Sequence, residues 1–313
     1  MIKRWIAHTS ILVLLFSGIS VTSLALDPEG KPNEDGHTIA DKLGKADCPL
    51  EQRFDYFSHY SPTIRSMASS SMRKEGTNAI PYLLKGLQSG DRRVVRASCD
   101  AISGVRTFSG VNFKPHPAMT PEVAAPAVPY LIPLLEWDDP YIQAGVLQAL
   151  SKCGKTAAPH LKQIVSYLKH KEWWVRVSAA YVLEGVGSPE ADPYAQHLAR
   201  ALLNEHNIMC LTQMTRALRT LVGAASTSDA VVGVMGKGLE SMERAFIRGQ
   251  ALDILQAMGP KAAAALPAIE DLISADERLL TKTDAASPIA KSLREDIANL
   301  TKAREAITPH KEP

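Results

Sequence analysis

The sequence predicts an all-α solenoid, and three observations predict it. An apolar pattern of helical spacing recurs at a near-constant interval, a second apolar segment lies upstream of most copies, and no stretch shows convincing period-2 alternation between hairpin signals. The recurring pattern is an apolar anchor followed by apolar or small residues at +4, +7, +8 and +11. It reads Ile142, Val146, Ala149, Leu150, Cys153, then Val175, Ala179, Val182, Leu183, Val186, and again Ile247, Ala251, Ile254, Leu255, Met258. Looser copies start at Val94 and Cys210, and a degenerate first copy at Ile64. Steps of three and four residues place these side chains on one stripe of a helix. The anchors at 64, 94, 142, 175, 210 and 247 are separated by 30, 48, 33, 35 and 37 residues. All but one interval cluster near 34, and the outlier carries an insertion.

The upstream segments supply a first helix to each unit. They are 79–87, 127–135, 159–168, 193–203 and 229–239, with a sixth at 264–273. Pro81, Pro129, Pro159, Pro193 and Pro267 fall near their starts, where the first turn has no intrahelical use for an N–H. Asp91 and Asp139 lie three residues before their anchors, the place of an N-cap. Gly154, Gly187 and Gly259 sit at +12, where a helix ends in a left-handed residue. The sum is about six helical hairpins. A C-terminal capping helix follows, opened by Ser287-Pro288 and carrying a stripe of Ile289, Leu293, Ile297, Leu300 and Ile307; a coiled-coil partner helix is the alternative for this segment.

The segment Asp139-Pro-Tyr-Ile142-Gln-Ala-Gly-Val-Leu-Gln-Ala-Leu150 resembles the second helix of a HEAT repeat, and so does 174–187. The resemblance covers about residues 60–275 and is nearest the short repeats named after phycocyanobilin lyases. It implies a right-handed α-α superhelix. It also implies an alternative function, a lyase- or chaperone-like solenoid acting on a small molecule or chromophore. The Arg that the family carries after the anchor is present as Arg65, Arg176 and Arg248, while Val95, Gln143 and Leu211 interrupt any continuous Asp/Arg ladder.

Outside the repeats, Lys3-Arg4, the apolar run 11–16 and Ser23-Leu24-Ala25 have the plan of a secretory signal, cleaved near Ala25 or else retained as an anchor. The divisions expected are 1–25 signal peptide, 26–46 flexible lead-in, 47–275 solenoid with an insertion at 106–123, and 276–313 capping helix and tail. Removing Lys3 and Arg4 from 35 basic and 33 acidic residues leaves a near-neutral mature chain, which argues against nucleic acid as a partner. No later apolar stretch is long enough to span a bilayer.

Four cysteines, at 48, 99, 153 and 210, show neither CxxC nor CxxCH. Their wide spacing gives no metal signature, and the core register of Cys153 and Cys210 favours free buried thiols over disulfides. Trp137, Tyr141, Trp173 and Trp174 fall in the turns of two consecutive units, where they either bind a partner or staple the units together. The insertion, with Phe113 and His116, is either a functional loop or a plain linker. His170 and Glu172, and Glu205 and His206, do not recur as a metal-binding pattern would, and no Ser/His/Asp set or phosphate loop is present. The resulting expectation is a monomeric, exported, non-catalytic scaffold with no cofactor and no metal, binding a protein or peptide.

Overall fold

The computed structural model describes residues 36–45, 48–104, 117–223, 229–240 and 245–309. Among them every regular element is helical and no strand occurs. The expected signal peptide lies outside the described residues, as do Phe113 and His116.

The second helices of the units are long and unbroken. They are α3 (Pro62–Arg73), α5 (Arg92–Ser103), α8 (Pro140–Lys152), α10 (Trp173–Val186), α12 (Ile208–Gly223) and α14 (Ala245–Met258), and each packs on the next. Their starts are fixed locally. The Asp91 carboxylate accepts the Arg93 N–H at 2.8 Å, and that of Asp139 accepts the Tyr141 N–H at 2.9 Å, so both act as N-caps. Gly154, Gly187 and Gly259 have positive φ just past three of these helices, as does Gly104 after α5.

The first helices are less regular. α4 (Ile80–Leu87), α11 (Ala195–Leu203) and α13 (Asp229–Leu239) are single α-helical segments. In the third unit the segment breaks into α6 (Pro121–Ala124), a 3₁₀ turn, α7 (Val128–Leu131) and another 3₁₀ turn ending at Glu136. Pro126, Pro129 and Pro133 recur every three or four residues there, and each removes a donor that an α-helix would use. The fourth unit is built similarly around α9 (Leu161–Ile164).

Three boundaries differ from the sequence expectation. The segment 26–46, expected as a flexible lead-in, contains helix α1 (Gly36–Gly44), whose Ile39 and Leu43 are buried. A short helix α2 (Leu50–Asp55) pairs with α3 and buries Phe57 beyond its end, so the first unit also has two helices. At the other end α15 (Leu266–Leu280) runs through residue 275, the expected end of the solenoid, and packs on α16 (Pro288–Ile307) as a seventh hairpin. The cap is therefore a terminal repeat. Its stripe is shifted by one place at the start: Ile289 is 61% exposed, while Ala290, Leu293, Leu300, Ala303 and Ile307 are buried. The last residues of the insertion also belong to the fold, since Met119 is buried and Thr120 caps α6 through the Val123 N–H.

A single continuous core runs from Ile39 to Ile307, joining all seven units. Where neighbouring second helices approach most closely, size is restricted. A Cβ added to Gly185 on α10 would lie 2.2 Å from the carbonyl oxygen of Ser151 on α8. Because each unit completes its neighbour's core, a cavity in the middle is felt throughout. Leu183→Ala, at a fully buried place on α10, is expected to lower unfolding free energy by about 2–5 kcal/mol in a urea titration followed by circular dichroism.

Candidate functional site

The turns entering α8, α10 and α12 lie side by side along one edge of the stack, and each is held by charges spent internally. In the turn before α8, the buried Asp139 carboxylate caps the helix and also accepts from the Arg92 guanidinium. In the next turn, Arg176 Nη1 donates to the carbonyls of His170 and Lys171 at 2.8 and 2.9 Å. Its Nε and Nη2 grip the Glu205 carboxylate, across in the following turn, at 2.6 and 2.7 Å. Arg65 treats the carbonyls of His59 and Tyr60 in the same way, and Gln143, standing where the Arg is missing, donates to the Trp137 carbonyl at 2.9 Å. Arg65, Gln143 and Arg176, each one place after its anchor, thus tie down their own turns.

Glu205 shows how strongly such a turn is fixed. Burial opposes its charge, but Arg176 and the N–H groups of Asn207 and His206 more than offset that penalty, and the carboxyl is held down to about 2. A carboxyl depressed in the folded state contributes stability above its ordinary pKa, and that contribution is lost as pH falls toward 2. Glu205→Gln is therefore expected to cost about 2–4 kcal/mol at pH 7, by stranding Arg176, and to flatten the loss of stability between about pH 4.5 and 2. Chemical denaturation across that pH range tests both parts.

On this braced edge the aromatics take distinct roles. The Tyr141 and Trp174 rings stack with centroids 5.7 Å apart and planes 21° apart, although they belong to different units. Trp173 meets Trp174 edge-on at 5.9 Å. Both tryptophans are half-buried against the core, while Tyr141 is 53% exposed. The four aromatics do not converge as the sequence suggested. Trp137 is half-buried against the core, and among the described residues its ring contacts none of the other three. The pair Tyr141 and Trp174 consequently joins adjacent units, with Tyr141 more than half exposed.

The sequence reading missed the continuation of this strip. Met209 lies one residue before the anchor Cys210, the same place that Tyr141 and Trp174 occupy before theirs, and Ile208 precedes it at the start of α12. Met209 is 43% exposed and Ile208 is 62% exposed, on the helix that packs against α10. Register relative to the anchor was the available signal; attention to aromatic rings alone concealed it.

The other candidates have structural roles. His170 Nδ1 accepts the Glu172 N–H at 3.0 Å, and His59, at the same place three units earlier, accepts the Ser61 N–H at 3.1 Å. Glu205 is engaged by Arg176, so it forms no acid–base pair with His206. Among the described residues no group of His, Cys, Asp and Glu is arranged to hold a metal, and no helix is long and apolar enough to cross a membrane. All four cysteines are free and buried. Burial pushes the thiols of Cys99 and Cys153 up to about 12 and raises that of Cys210 as well, which leaves almost no reactive thiolate near neutrality.

Comparison with known proteins adds the following. Residues 128–219 match the family described as HEAT repeats. An archaeal HEAT-like repeats protein from Thermococcus onnurineus NA1 aligns over 82% of this chain and 98% of its own, at 12% identity and a TM-score of 0.50. Importin beta aligns over 89% of this chain and 38% of its own, at 12% identity and a TM-score of 0.56. The CpcE–CpcF complex of phycocyanin lyase from Nostoc sp. PCC7120 covers 82% of this chain and 96% of its own, at 18% identity, but superposes only to a TM-score of 0.39. No curated protein sequence matches the chain. Identities this low establish likeness of fold alone.

Proposed function

The chain is a HEAT-like repeat solenoid, and we propose that it serves as a non-catalytic, extracytoplasmic scaffold for protein–protein interaction. One observation carries this: Tyr141, Ile208 and Met209 expose apolar surface along one edge, with the half-buried Trp174 between them; Tyr141, Trp174 and Met209 each stand one place before the anchor of three successive units, on turns held by ion pairs. Single exposed apolar residues on a surface need no explanation, whereas a row of them on a rigid edge has the composition of a binding hot spot. A rigid edge also loses little conformational entropy on docking. The near-neutral composition favours a protein or peptide partner over nucleic acid. The signal-like segment at residues 1–25 supports an extracytoplasmic place.

Two measurements test the proposal. Crosslinking in the native host, read by mass spectrometry, is expected to place partner peptides near Tyr141 and Ile208. The double variant Tyr141→Ala, Ile208→Ala should lose those crosslinks at least tenfold with an unchanged circular dichroism spectrum; crosslinks that survive it would remove the edge from the interface. For export, sequencing the N-terminus of the protein recovered from the host is expected to begin at Leu26, and an intact Met1 in a cytosolic fraction would refute it.

A further inference from the structure

The last two second helices, α14 and α16, are bridged by an ion pair, Arg248 Nη2 to Asp296 Oδ2 at 3.2 Å, and leave a cleft of about 380 Å³ between them. Its floor is Leu252 and Leu300, both buried. Its walls are polar. Gln250 and Gln256 come from α14, and Asn299 and Lys302 from α16. The acids present are already engaged, Asp296 by Arg248 and Asp253 by Arg219 at 2.9 Å. The three amide side chains and Lys302, by contrast, make no hydrogen bond within the described residues.

We propose that this cleft is a binding site for extended polypeptide, holding it through its backbone. A primary amide offers a donor and an acceptor in one plane, the complement of a peptide group, and selects no side chain. Gln250 and Gln256 are six residues apart on one helix, and Asp296 and Lys302 are six apart on the other, so each wall is about 9 Å long at a rise of 1.5 Å per residue. That length matches about three residues of extended chain. With its two acids engaged by arginines, the charge left in the lining is that of Lys302, which offers nothing to a cationic ligand. A saccharide, the other hydrogen-bond-rich ligand of this size, finds among the described residues of the lining no aromatic ring on which to lay its apolar face. The inference rests on the scaffold reading, since it takes the partner to be a protein, but it uses a different region of the solenoid from the aromatic edge.

The structure supplies a plug for the test. Gly249 lines the cleft, is exposed, and a Cβ placed on it would meet nothing within 4 Å. Gly249→Leu therefore fills the opening while improving helix propensity. The probe is a pool of blocked tetrapeptides, Ac-Ala-Xaa-Xaa-Ala-NH₂, followed by saturation-transfer NMR on the full mature chain, with maltotriose as the saccharide control. The expected result is transfer to many peptides and not to maltotriose, reduced at least tenfold by Gly249→Leu and by Gln250→Ala with Asn299→Ala, with a Tm for Gly249→Leu no lower than that of the parent. Absence of transfer to the peptides, transfer indifferent to both variants, or preference for maltotriose would each overturn it. Trp174→Ala should leave the peptide signal intact. Loss of the host crosslinks with that signal retained would show the two sites to be independent, and failure of the tetrapeptides alone leaves the edge unaffected.

Discussion

Everything in this molecule depends on one dry row of contacts between consecutive second helices. Four residues after each anchor stand Ala68, Ser98, Val146, Ala179, Met214 and Ala251, and none of them has any solvent exposure. The one hydroxyl among them, on Ser98, donates a hydrogen bond to the Val94 carbonyl of its own helix and so costs little to bury. Packing at this row sets how far each helix is rotated and shifted against the next. The shift in turn decides which turn residues line up across units. The stacking of Tyr141 on Trp174 follows from that alignment, because the two rings come from equivalent places in adjacent repeats.

The apolar register was legible in the sequence because it repeats. Anchors, their +4 to +11 partners, the aspartate caps and the terminal glycines all recur, so each copy supports the others. What was not legible belongs to places where the repeat is used once. Helix α1 holds the first unit with Ile39 and Leu43, a pair too short to announce a periodicity. Helix α15 continues past residue 275 because α16 offers it a partner, a fact of tertiary packing with no local signal. Ile289 reads as core on spacing alone, but it stands two residues past the Ser287 cap, in the first turn, where Ala290 already faces inward.

The polar residues were read least well, for a physical reason. A carboxylate or guanidinium gives no periodic pattern, and its role depends on what the fold brings within 3 Å. Arg176 and Glu205 are 29 residues apart, and their pairing needs two adjacent units to be stacked before it can form. Similar cross-unit contacts join Gln148 to Ser178, Arg216 to Glu184 and Arg219 to Asp253. These contacts replace the Asp/Arg ladder that the sequence shows to be interrupted. They add little energy where exposed, but they specify which surface of one helix faces the next.

That division of labour bears on recognition. On the turn edge the strongest charges are consumed internally: Asp139 by Arg92, and Glu205 by Arg176 and the backbone. A partner approaching there meets an aromatic face, then a leucine-sized and a thioether side chain, on a backbone that has little freedom left to lose. Electrostatic steering from those turns is weak, so binding would be governed by shape and apolar burial, and salt would change it little. The same pairing that makes the edge rigid therefore also takes its two most buried carboxylates out of reach, and what remains for contact at Tyr141, Ile208 and Met209 is largely apolar.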